Sequence, residues 1–186
     1  MSRSIALSGM MGAGKTTVGA LVAARLGRRL VDVDAEVEGH LGKSIAQVVA
    51  DIGIEEFRMF EHQVIRQVFQ HPDLVVSLGG GAVLDDHNVA ELLLTGVLVH
   101  LDAPAEVLVD RLVGDADQVG ARPLLAGDDP AAEVRRLHAE RDARYRDVAD
   151  VVVDATGDPA EVCEEVLAWA RGAGDVLTPS EHEVTM

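Results

Sequence analysis

Ile5-Ala6-Leu7-Ser8-Gly9-Met10-Met11-Gly12-Ala13-Gly14-Lys15-Thr16 carries a short apolar run straight into a glycine-rich loop that ends in Lys-Thr. From Gly9 to Thr16 the spacing matches every fixed position of the phosphate-binding P-loop. Glycines let the backbone curl so that successive N–H groups face one concavity, which attracts phosphate oxygens. Lys15 reaches the β- and γ-phosphates, and the Thr16 hydroxyl stands where it can ligate the nucleotide's Mg²⁺. Val18, Leu21, Val22 and Leu26 follow at three- and four-residue spacing. They predict a helix whose positive end meets the same phosphates. Strand, loop and helix in this order mark a nucleotide user.

Length and charge bound the rest. The chain has 186 residues, enough for one domain with its own core. Its single cysteine, Cys163, excludes an internal disulfide and suits core packing in a reducing cytoplasm. Met1-Ser2-Arg3-Ser4 lacks a signal-peptide core, and no apolar run is long enough for a bilayer, so a soluble cytoplasmic protein without a membrane partner is expected. A net charge of −16 argues against a nucleic-acid partner, which calls for a basic stripe. It also means that the few cations must be concentrated where an anionic nucleotide binds.

Working outward, Leu30 to Val33, Leu74 to Leu78, Val97 to Leu101 and Val151 to Val153 are further apolar runs that join Ile5 to Leu7 as five strands. Helical patterns lie between them, including Pro130 to Tyr145 and Pro159 to Arg171. Strands apolar on both faces, alternating with helices, imply an α/β class with a covered parallel sheet. Ligands of such sheets bind beyond the carboxyl ends of the strands. That rule selects the P-loop, Asp32 and Asp34, and Gly79-Gly80-Gly81. The stretch from Gly114 to Ala121, rich in Gly, Asp and Ala, leads into Arg122-Pro123-Leu124-Leu125 and suggests a lid. From Gly172 onward no apolar period remains, and a disordered acidic tail is expected.

Asn-Lys-x-Asp, the guanine-reading pattern, is absent, which leaves a small-molecule kinase if a second substrate site exists. Asp32 and Asp34 leave a strand at alternate positions and share a side while it continues. Asp32 can hold a metal through water and Asp34 can accept a hydroxyl proton, although Asp34 could instead simply cap a helix. Arg58 and Glu61 lie three apart on a helical face, so the carboxylate can orient the guanidinium toward a substrate carboxylate. A solvated surface pair is the alternative. Two of the chain's five aromatic residues, Phe57 and Phe60, flank this arginine. Three consecutive glycines at 79–81 are costly in chain entropy unless backbone must approach a ligand or turn tightly. Asp102 ends an apolar strand as a Walker B aspartate does, but Asp102-Ala103-Pro104 also reads as a helix start. His100 within that strand is expected to be packed or hydrogen-bonded.

In order and spacing the P-loop, Asp32-x-Asp34, Phe57-Arg58-x-x-Glu61, Gly79-Gly80-Gly81, Arg122-Pro123-Leu124-Leu125 and Arg141 with Tyr145-Arg146 resemble the signatures of shikimate kinases. The resemblance spans about residues 3 to 171. It implies a three-layer P-loop kinase fold with a five-stranded parallel sheet in the order 2-3-1-4-5. One kinase domain would cover 1–171, with a lid at about 112–126, a shikimate-binding helical segment at about 34–62 and the tail at 172–186. The implied reaction moves the γ-phosphoryl of ATP to the 3-hydroxyl of shikimate, on the way to chorismate and the aromatic amino acids, with Mg²⁺ as cofactor in a monomer. ATP would meet Gly12, Ala13, Gly14, Lys15, Thr16, Thr17, Arg111 and Arg122. Shikimate would meet Asp34, Arg58, Gly79, Gly80, Gly81 and Arg141. Lys15, Asp34 and Arg122 would be catalytic, and Thr16 and Asp32 would hold the metal. Ten residues separate Arg111 from Arg122, including Asp115 and Asp117, a longer and more acidic lid than the resemblance implies. The resemblance leaves Arg135, Arg136 and Arg144 as surface or helix-pair residues. A gluconate-type kinase and a nucleotide-dependent binding module are the competing readings. The first lacks a use for Asp34, Arg58, the glycine run and Arg141 together, and the second for an intact Lys15, Thr16, Asp32 and Asp34.

Overall fold

A computed structural model describes residues 2–113, 125, 129–178 and 181. Strands β1 (Ser4–Ser8), β2 (Arg29–Asp32), β3 (Leu74–Ser77), β4 (Gly96–Asp102) and β5 (Val151–Asp154) form one sheet in the order β2-β3-β1-β4-β5. Every pairing is parallel. The helices are α1 (Lys15–Leu26), α2 (Val33–Leu41), α3 (Ile45–Ile52), α4 (Ile54–Val68), α5 (Asp86–Thr95), α6 (Ala105–Val113), α7 (Pro130–Val148) and α8 (Pro159–Gly172). Ile5, Ala6 and Leu7 of the central strand are wholly buried in succession, so both faces of β1 are covered. Val152 on the edge strand β5 remains 40% exposed.

The five expected strands are present, with one boundary that changes the argument about the acids. Val33 belongs to α2 rather than to the second strand, because Asp32 ends β2 and caps the helix, its carboxylate accepting the Ala35 N–H at 3.2 Å. Capping therefore falls to Asp32 and not to Asp34, which sits in the first turn of α2. Alternation along a strand does not bring the two acids together; a strand end followed at once by a helix start does.

The chain reverses its neighbours at β1, which lies between β3 and β4. A crevice opens there at the carboxyl edge, and the loops after β1, β2 and β3 all reach it. At the other edge of the sheet the segment after α8 is ordered in its described part. Val176 and Leu177 are buried, and Glu181 meets Arg28 through two hydrogen bonds of 2.6 and 2.9 Å. Arg28 also donates to the carbonyls of Arg3 and Val176, each at 2.7 Å, and its side chain is 2% exposed. The expectation of a disordered tail from 172 thus fails for residues 173–178 and 181. Two apolar residues and one carboxylate suffice to dock a segment that shows no helical period. Burial alone would raise the Glu181 carboxyl, but hydrogen bonds from Arg28 and Thr178 outweigh it and hold the group down at about 2. Cys163 is buried in α8 as packing, and burial pushes its thiol up.

Candidate active site

Gly9, Gly12 and Gly14 have φ values of 149°, 82° and 88°, a conformation that L side chains rarely adopt. The loop they shape ends at Gly14, and α1 begins with Lys15. The Lys15 ammonium donates to the carbonyls of Gly9 at 2.9 Å and Met10 at 3.1 Å, so it is held over the loop's own mouth. Beside the loop lies a cleft of ≈ 440 Å³, lined by residues 12–18 on one side and by Arg111, Leu112, Ala155, Gly157, Pro159 and Val162 on the other. With Lys15 and the P-loop backbone along one part and Leu112, Pro159 and Val162 along another, it offers the polar and the apolar contacts that a nucleotide's phosphates and base require. Arg111 donates to the carbonyls of Gly12, Ala155 and Thr156 at 3.3, 2.9 and 3.1 Å, which ties the P-loop to the turn after β5.

Thr16 also lines a second cleft, of ≈ 370 Å³, so the two clefts meet at this residue. Thr16 donates to Asp32 Oδ2 at 2.7 Å and lies 3.2 Å from Ser77 Oγ. Threonine hydroxyl, serine hydroxyl and carboxylate form an all-oxygen set, the donor chemistry that fits a hard divalent cation.

The second cleft gathers Asp34, Arg58, Glu61, Gly79, Gly80, Gly81 and Arg141. Arg58 donates to Glu61 Oε2 at 2.5 Å and lies 5.1 Å from the Phe57 ring centre. Glu61 is fully buried, so this is no solvated surface pair. Burial raises the Glu61 pKa, Arg58 offsets part of that rise, and the charge of Asp34 adds to it. The glycine run serves close approach. A Cβ at Gly79 would collide with Glu61 Oε1 and stand 2.7 Å from Asp34 Oδ1, and one at Gly81 would overlap the Arg58 guanidinium. Arg141 is 7% exposed on α7 and faces the same cleft. One turn on, the Tyr145 hydroxyl donates to the Gly80 carbonyl and anchors the run to α7. Arg144 does the same for the next turn, donating to the Val83 carbonyl at 3.0 Å.

Every expected site residue among those described therefore lines one of two adjoining clefts, and Arg122 and most of the expected lid lie outside the described residues. Arg135 and Arg136 pair with Glu106 and Glu133 on the surface. Asp102 accepts from Arg146 at 2.8 Å, an ion pair away from the P-loop cleft. Sequence reasoning missed Ser77 and, although Tyr145 was part of the quoted motif, gave it no role. Ser77 had a visible signal, a hydroxyl within an apolar strand at the end that faces the P-loop.

The family model described as shikimate kinase matches residues 11–171. A shikimate kinase of Aromatoleum aromaticum is 39% identical over 87% of this chain and 91% of its own length. The structure of shikimate kinase from Acinetobacter baumannii in complex with shikimate superposes with a TM-score of 0.85 at 34% identity, covering 91% of this chain and 93% of that one. A gluconokinase from Sinorhizobium meliloti, at 18% identity and a TM-score of 0.60 over 94% and 95% of the two chains, shares the fold alone.

Proposed function

The chain belongs to the shikimate kinase family, and from that premise we propose how its residues divide the ATP-dependent phosphorylation of shikimate, a step of aromatic biosynthesis. The observation that carries the division is the meeting of the two clefts at Thr16. The P-loop cleft takes ATP, with backbone N–H groups from Gly12 to Thr17 and the Lys15 ammonium on the phosphates. Arg111 and the turn after β5 frame the base. The second cleft takes shikimate, whose carboxylate pairs with Arg58 and Arg141 and whose ring hydroxyls meet Asp34 and the Gly79 to Gly81 backbone.

Kinases of this family use ATP with a divalent metal, for which we propose Mg²⁺; Thr16 and Asp32 would hold it, and Ser77 lies beside them. When bound with the nucleotide, that ion neutralises charge on the phosphate oxygens. Asp34 orients the 3-hydroxyl and accepts its proton as the oxygen attacks the γ-phosphorus and the bond to ADP breaks. Lys15, with Arg122 from the lid, stabilises the charge on the transferring group. We infer a cytoplasmic monomer without nucleic acid or membrane partners. No described helix is long and apolar enough to cross a membrane.

Steady-state kinetics of Asp34→Asn test the assignment. The isosteric amide keeps the hydrogen bond but not the base, so kcat falls roughly 10²- to 10⁴-fold with KM for ATP little changed. An unaltered kcat would remove Asp34 from the chemistry.

A further inference from the structure

Behind the substrate cleft, His100 of β4 lies in a cluster that the phosphoryl-transfer machinery does not use. Its side chain is 3% exposed and the ring stacks on Tyr145, with centroids 5.1 Å apart and planes 13° apart. Nδ1 faces Ser8 Oγ at 3.5 Å, while Nε2 is buried without a hydrogen-bond partner among the described residues. That orphaned nitrogen points at Asp102, 3.7 Å from Oδ1. His100, Asp102 and Asp142 bring one ligand atom each within 4.8 Å of one another. His138, one helical turn before Asp142 on α7, lines the same crevice.

We propose that His100, Asp102 and Asp142 form a second cation site, separate from the nucleotide's metal, that takes a first-row transition dication of the Zn²⁺ class. The imidazole nitrogen sets the class, because Mg²⁺ prefers an all-oxygen shell while imidazole with carboxylates suits Zn²⁺ and its neighbours. An unpaired buried ring nitrogen is costly, and a metal satisfies it. The surroundings have the form of an outer shell. Arg146 donates to Asp102 Oδ2 at 2.8 Å and to both Asp142 oxygens at 3.1 Å, which leaves Asp102 Oδ1, the oxygen nearest His100, for the ion. Ser8 stands at the other ring nitrogen, where a metal-bound histidine ordinarily finds an oxygen. Two carboxylates and one guanidinium sum to one negative charge, so a dication is attracted.

Tetrahedral ligands around Zn²⁺ stand about 3.3 Å apart, so the cluster closes by up to roughly 1.5 Å on binding. The two aspartates, whose side chains are 24% and 31% exposed, have room to make that adjustment. The fourth position falls to His138 or a water. An ion here ties β4 to α7, the helix that carries Arg141 and Tyr145, and so braces the substrate cleft from behind without touching substrate.

The full chain, stripped by a chelator and free of nucleotide, is titrated with Co²⁺ while its visible ligand-field absorption is followed. One equivalent binds with a tetrahedral spectrum. His100→Gln and Asp142→Asn each weaken binding at least about tenfold, and Asp32→Asn leaves it intact. Added Zn²⁺ raises the melting temperature of the wild type but not of Asp142→Asn, a partly exposed position that tests the site should His100→Gln fail to fold. Absence of Co²⁺ absorption, a spectrum that both His100→Gln and Asp142→Asn leave unchanged, or binding abolished by Asp32→Asn overturns the proposal.

Discussion

Replacing Arg58 with alanine separates substrate grip from nucleotide grip and leaves a second signature in pH. Arg58 lines only the second cleft, where its guanidinium is pinned by Glu61 at 2.5 Å. A hydrogen bond between charged partners is worth about 1.5–3 kcal/mol, and about 1.4 kcal/mol corresponds to tenfold. Arg58→Ala should therefore raise KM for shikimate roughly 10- to 150-fold, with KM for ATP within about threefold because the P-loop cleft shares no contact with this side chain. Glu61 supplies the pH arm. Its folded pKa is already raised above the ordinary 4.5 by burial, and Arg58 provides both of the opposing influences. Removing Arg58 raises it further. A carboxyl whose folded pKa exceeds its unfolded value contributes stability below the unfolded value and loses it as pH rises through the folded one. The melting-temperature gap between wild type and Arg58→Ala therefore widens as pH rises above the ordinary carboxyl value of 4.5. Parallel rises in both KM values would refute the division of the clefts. A gap that narrows with pH would refute the reading of Glu61.

Two further changes probe the glycine run and the C-terminal clip. Gly81→Ala places a methyl where the Arg58 guanidinium sits and should raise KM for shikimate at least about tenfold without altering the ATP value, measured in the same assay. Glu181→Gln leaves the buried Arg28 without its counter-charge and should cost roughly 3 kcal/mol in denaturant unfolding at pH 7. Because the Glu181 pKa is depressed to about 2, that difference is present above the ordinary value of 4.5 and shrinks as pH falls from 4.5 toward 2.

The sheet was readable because its inner strands β1, β3 and β4 are buried on both faces and so appear as unbroken apolar runs between glycine-rich or acidic turns. The P-loop was readable because its glycines answer to φ values that other residues avoid. The start of α2 was not, since the apolar Val33 serves equally as the last residue of a strand or the first of a helix, and only the Asp32 cap decides. Arg141 shows a middle case. Val134, Leu137, Arg141 and Tyr145 follow the helical period and are all buried, so an arginine within an apolar stripe is itself a sign of a cleft. Five arginines in that helix hid the sign from a reading based on charge alone. The docking of Glu181 on Arg28 was invisible, because nothing local to either residue encodes a partner 153 positions away.

The most direct measurement couples ADP release to a spectroscopic readout with ATP and Mg²⁺, comparing shikimate with gluconate as acceptor. Turnover that depends on shikimate, saturates with it and is lost in Asp34→Asn is the predicted result. Folded protein that releases ADP equally with gluconate, or not at all with shikimate, would contradict it.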